Sequence, residues 1–122
     1  MDRTRFIEHR GRQILLLDFT EIWDLQVALQ EIEKARELIA QQKPDGSLLT
    51  LTDARGAHFT SEVVEALKSL TAHNKPYVKA AAAITGSGLH KVALMAVTRF
   101  SGRQVEAFTD PELAKDWLVD QV

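Results

Sequence analysis

Two aspartates in this sequence stand at the ends of apolar runs, which is where acid–base or cation chemistry is easiest to assemble. Asp18 falls near the end of Gln13–Phe19, and Asp53 ends Leu48–Asp53, with Arg55 and His58 following closely. In open parallel sheets, ligands bind beyond the carboxyl ends of the strands. Carboxylates brought together there raise one another's pKa or hold a hard cation. The competing reading is that each aspartate only caps a turn or helix, as Asp110 does ahead of Pro111. A third feature of the same edge is Thr85-Gly86-Ser87-Gly88. Free N–H groups at the start of a helix favour an anion, yet neither GxxxxGK[ST] nor a full GxGxxG is present, so a tight strand-to-helix turn competes.

Other reactive constellations are missing from the sequence. His9, His58, His73 and His90 show no metal-ligand spacing. There is no GxSxG elbow, and the absence of cysteine removes both thiolate chemistry and disulfides. The expectation is a chain that is not an enzyme and has neither cofactor nor metal. A small enzyme using Asp18, Asp53 and His58 is the third reading, behind a binding module and a ligand carrier. A receiver domain, which also gathers acids at strand ends, fails on residue types. Asp18 is followed by Phe19 and Thr20 rather than by another acid, and Phe108-Thr109-Asp110 supplies no lysine.

The elements that must position these residues follow from periodicity. Phe6–His9 reads as a short edge strand, turned by Arg10-Gly11 into Gln13–Phe19, whose continuous apolarity suits a strand covered on both faces. From about Asp24 to Gln42, the stripe Leu25, Ala28, Leu29, Ile32, Ala35, Ile39 predicts a helix capped by Asp24. Leu48–Asp53 is a buried strand. Thr60 or Ser61 caps a second helix with Val63, Leu67 and Leu70 inward. Tyr77–Thr85 contains four alanines that prefer helix, but its brevity between Pro76 and Gly86 and the βα alternation make it a strand. A third helix runs from Gly86-Ser87-Gly88 to about Gly102, Gln104–Phe108 is the last strand, and Leu113, Ala114, Trp117 and Leu118 form the inner face of a fourth helix. The order is ββαβαβαβα in one domain, with parallel strands and right-handed crossovers.

That order, together with Leu48–Leu70 (LLTLTDARGAHFTSEVVEALKSL) and His73-Asn74-Lys75-Pro76-Tyr77-Val78, resembles the STAS domain, in particular the small SpoIIAA-like antagonists of anti-sigma factors. The resemblance covers nearly the whole chain. It implies an α/β fold with a mostly parallel five-stranded sheet, an antiparallel N-terminal edge strand and four helices. It also implies a non-catalytic regulatory or interaction module. Phospho-regulated members have Asp-Ser-x-Gly where this chain has Thr60-Ser61-Glu62-Val63. Only the serine matches, so Ser61 is expected to cap the second helix or lie beside its start rather than act as a switch. The kinship of STAS and CRAL-TRIO domains keeps a second reading open, a carrier of an apolar or amphiphilic ligand beside the alanine-rich strand.

Charge and hydropathy point to a working surface on the third helix. No acid occurs between Ala66 and Val105, while Lys68, Lys75, Lys79, Lys91, Arg99 and Arg103 do. Leu89, Val92, Ala93, Ala96 and Phe100 form a core stripe, which leaves Leu94 and Met95 on the other side beside Lys91. A helix apolar nearly all round is buried or meets a partner. The expected partners are a protein, a second copy of the chain in a homodimer, or a membrane surface touched peripherally. Nucleic acid is disfavoured by net charge −2 and few aromatics. No early run is long enough for a signal or a span, and a cytoplasmic location is the expectation.

Overall fold

The computed structural model describes residues 2–86 and 105–121. Strand β1 (Thr4–His9) pairs antiparallel with β2 (Arg12–Asp18) across a two-residue turn. Arg10 and Gly11 in that turn have φ of +53° and +79°, as the tightest hairpin turn demands. From β2 onward the strands are parallel: β3 (Leu48–Asp53), β4 (Val78–Ile84) and β5 (Glu106–Phe108), in sheet order β1-β2-β3-β4-β5. Val105, expected inside the last strand, lies just before it.

Helices α1 (Leu25–Ala40) and α2 (Ser61–His73) cover one face of the sheet, and α3 (Pro111–Val119) covers part of the other. Each begins at a side-chain cap. Asp24, Thr60 and Asp110 accept hydrogen bonds from backbone N–H groups of their helices' first turns, which satisfies donors that have no intrahelical partner. Among the described residues there are three helices rather than four. The remaining expected helix, with Ser87, Gly88, Lys91, Leu94 and Met95, lies outside the described residues.

The two-faced burial explains the strand sequences. Ile14 and Leu15 are adjacent in β2 and both fully buried, because one joins the core under α3 and the other the core under α1 and α2. In β4, Ala81, Ala82, Ala83 and Ile84 are all buried, so coverage on both faces overrides the helix preference of the alanines. On α3 one expectation fails. Ala114 and Leu118 are fully buried, but Leu113 is 58% exposed. Among the described residues no helix is long and apolar enough to cross a membrane.

Candidate functional site

The register of β2 on β3 pairs Asp18 with Asp53, so the two strand-end carboxylates do share one row of the sheet. Their partners decide the chemistry. Asp18 Oδ1 accepts from the Thr20 backbone N–H at 3.0 Å and from the Thr20 hydroxyl at 2.6 Å. Arg3, just before β1, and Arg5, on it, each stand 3.7 Å from its carboxylate. Burial alone would raise the Asp18 pKa, but the Thr20 hydrogen bonds and the two arginines outweigh it and hold the group below the ordinary carboxylate range. Asp53 is buried, and Arg55 grips it with Nε at 3.0 Å and Nη2 at 2.7 Å, a two-pronged geometry that fixes both partners. Asp53 also accepts from the Arg55 backbone N–H. Three guanidinium groups are thus interleaved with two carboxylates. This arrangement keeps Asp18 ionised and orders a loop.

A depressed carboxyl pKa in the folded state contributes stability above the unfolded-state value of about 3.9 and loses it as pH falls through the lower folded value. Asp18→Asn preserves an acceptor for Thr20 while removing the charge. It should cost about 0.5–1 kcal/mol near neutrality, the scale of partly exposed ion pairs. The gap to wild type should close in urea titrations run at progressively more acidic pH. A gap that stays constant with pH would contradict this account of Asp18.

Beyond the strand ends, the β2–α1 and β3–α2 loops are zipped together by backbone hydrogen bonds. Phe19 N–H donates to Asp53 O, Glu21 N–H to Arg55 O, and His58 N–H to Ile22 O, at 2.9–3.0 Å. The join needs unusual backbone on both sides, with φ of +59° at Glu21 and +72° at Gly56. For a residue with a Cβ such a conformation costs about 1–2 kcal/mol. At Gly56 the space is also taken, since a Cβ there would run into the Glu21 carboxylate. Because the end of a glutamate side chain swings away easily, the backbone angle is the stronger reason for glycine.

This double loop presents Trp23. Its side chain is 70% exposed, yet the indole N–H donates to Gly56 O at 3.0 Å, and its ring stacks on His58 with centroids 5.0 Å apart and planes 13° from parallel. His58 is exposed, and the Arg55 side chain, half exposed, belongs to the same loop. Sequence reasoning placed Asp18, Asp53, Arg55 and His58 at this edge but missed Trp23. The available signal was an aromatic directly before the Asp24 cap and outside the α1 stripe. A residue in that position commonly packs onto the first helical turns, whereas here it faces solvent.

Of the two residues expected at the start of α2, Thr60 is the cap and Ser61 lies beside it. The Thr60 Oγ1 accepts from Val63 N–H at 3.3 Å, while Ser61 is the first helical residue and donates to Glu62 Oε1 at 2.8 Å. Thr60→Ala should therefore cost about 0.5–2 kcal/mol, and Ser61→Ala less than about 0.5 kcal/mol, as for other surface positions. Paired denaturant melts would show it, and the reverse ranking would make Ser61 the cap. Gly86 is exposed at the end of the described segment, and the Thr85 hydroxyl beside it is buried without a hydrogen-bond partner. No group of three or more His, Cys, Asp or Glu suited to a metal ion occurs among the described residues.

An open five-stranded α/β sheet with one antiparallel edge, parallel strands elsewhere and helices on both faces is the SpoIIAA-like fold. Among solved structures, the chain is similar to an uncharacterized protein of the DUF3478 family from Shewanella loihica PV-4, itself described as having that fold. The TM-score is 0.71 at 16% sequence identity, over 94% of this chain and 91% of the other. No family model and no curated protein matches the sequence.

Proposed function

We propose that this chain is a non-catalytic, STAS-like interaction module that captures a protein partner on the loop platform of Trp23, Arg55 and His58. The observation that carries the reading is the state of Trp23, an exposed tryptophan that is nonetheless fixed by a hydrogen bond and a stack. Burying a large apolar side chain is worth about 1.5–3 kcal/mol, and this loop forgoes most of that gain in the free protein. A rigid aromatic anchor recovers it on binding without losing side-chain entropy at that moment. Tryptophan and arginine are also the residues that most often dominate interface energetics.

The ion-pair arrangement supports the same reading over an acid–base enzyme. Asp18 and Asp53 are each engaged by arginine, and their role is to hold the platform in shape. Ser61 lies at the start of α2 on the same edge, but with Thr60 as the cap and Glu62 accepting a hydrogen bond from its hydroxyl, no phospho-switch is part of the proposal.

The test is affinity capture from lysate of the source cells, using wild-type chain, Trp23→Ala and Arg55→Ala as bait, followed by titration of the recovered protein. Trp23→Ala should weaken that partner by about thirtyfold or more, the range of an interface anchor worth at least 2 kcal/mol. Its melting temperature should stay within a few degrees of wild type. Sedimentation at rising concentration would reveal whether the partner is a second copy. Equal affinity of wild type and Trp23→Ala would remove the platform from the function.

A further inference from the structure

We propose a second binding site at the opposite edge of the sheet, an anion groove in which Arg12 and Lys79 hold a phosphate monoester. Strands β2, β3 and β4 are parallel, so their first residues share one edge, remote from the Trp23 platform. An open groove of about 560 Å³ lies there, lined by Arg10, Gly11, Arg12, Gln13, Ser47, Leu49 and Lys79. That volume falls within the range of small-molecule sites, about 300–1,000 Å³. Its lining contains three cationic side chains and no acid.

The three cations differ in what already holds them. Arg10 lies 3.8 Å from both Asp116 and Asp120 near the end of α3, so its charge is compensated within the fold. Arg12 is the one arginine among the described residues that has no carboxylate partner; Arg3, Arg5, Arg10, Arg36 and Arg55 all have one. Lys79 likewise has none. In an acidic protein two unneutralised cations facing one concavity produce a local field that favours an anion.

The backbone contributes to the convergence. The β3–β4 pairing slips between Leu48 and Leu49, which face Val78 and Ala80, so Lys79 is the extra residue of the irregularity. Such bulges re-aim a side chain. Arg12 and Lys79 sit on strands separated by one neighbour, about 10 Å apart at two strand spacings, and both side chains are long enough to meet on one anion between them. A guanidinium fork and an ammonium point charge complement the several acceptor oxygens of a phosphate monoester. Ser47 is not a donor to that anion, because its hydroxyl already donates to Asp45 at 2.6 Å.

The experiment titrates the full chain with glycerol 3-phosphate at low ionic strength, following backbone amide shifts, with glycerol as the control. Saturable shifts should centre on Gly11, Gln13 and Ser47. Arg12→Gln should weaken binding about tenfold, as expected for one charge-assisted contact, and Lys79→Gln about threefold or more. Arg10→Gln should change it less than about threefold, since Asp116 and Asp120 already hold that charge. A parallel arm uses phosphatidylcholine vesicles with and without phosphatidic acid. Capture that needs phosphatidic acid and Arg12 assigns the phosphate to a lipid headgroup, whereas binding of glycerol 3-phosphate alone assigns it to a soluble ligand. Absence of saturable binding in both arms would overturn the site. So would binding that survives Arg12→Gln combined with Lys79→Gln. Because Trp23 is remote from this groove, Trp23→Ala must leave the titration unchanged, which separates failure here from failure of the platform.

Discussion

Replacing Phe19 with alanine should destabilise the chain by about 3–5 kcal/mol, the usual cost of truncating a buried phenylalanine. Phe19 is 2% exposed and is the largest of the fully buried side chains among the described residues. It packs in the core beneath α1 and α2, immediately after β2 ends at Asp18. Its backbone N–H also begins the series of hydrogen bonds that joins the two loops, and its carbonyl accepts from Ile22 N–H. The side chain therefore anchors the root of the segment that presents Trp23. Against a typical total stability of about 5–15 kcal/mol, the loss would bring the unfolded state into view at physiological temperature. Phe19→Leu should cost much less, because most of the volume is kept. Urea melts of the two variants, with the fluorescence of Trp23 and Trp117 as a second probe, would test this. A Phe19→Ala variant within about 1 kcal/mol of wild type would mean that this loop root is not part of the cooperative core.

The contrast between what was legible in the sequence and what was not has a physical basis. Strands and helices follow from periodicity and caps, which are local. Leu48–Asp53 ends where its apolar run ends, and Asp24 caps α1 through two backbone N–H groups. The alanines of β4 were settled by their neighbours, since only a strand joins β3 to β5 in this order. The site depended on long-range registry. That Asp18 lies beside Asp53 follows from two adjacent parallel strands, but its engagement by Arg3 and Arg5 depends on the register of an antiparallel hairpin. No spacing along the chain encodes that. Trp23 is the sharper case. Whether an aromatic before a helix cap folds inward or stands out is decided by the opposite loop, where Gly56 supplies both a left-handed turn and the carbonyl that receives the indole N–H. Thr60 and Ser61 are both good caps by type, and which of them serves is set by where the first helical turn starts.

Leu118→Ala and Leu113→Ala, two truncations on the same short helix, should differ by several kcal/mol. Leu118 is fully buried with Leu51, Ala82 and Ile84 in the core on the second face of the sheet, and its truncation should cost about 2–5 kcal/mol. Leu113 is 58% exposed; its loss should change stability by no more than about 0.5 kcal/mol, as at most surface positions. The periodicity of α3 alone would make the two equivalent. The difference arises because residues 114 and 118 are four apart and stack on one face, while residue 113 precedes that face by one position of the helical wheel. The larger loss should extend beyond the helix itself. Asp116 of α3 binds His9 at 2.7 Å and lies near Arg10, so loosening α3 should also release the β1–β2 turn. Hydrogen exchange of the Leu118→Ala variant should therefore accelerate at α3 and in the β1–β2 pair before it does so at α1. Uniform acceleration across the molecule would indicate that α3 unfolds only with the whole domain, and equal melts of the two variants would show that Leu118 is not core.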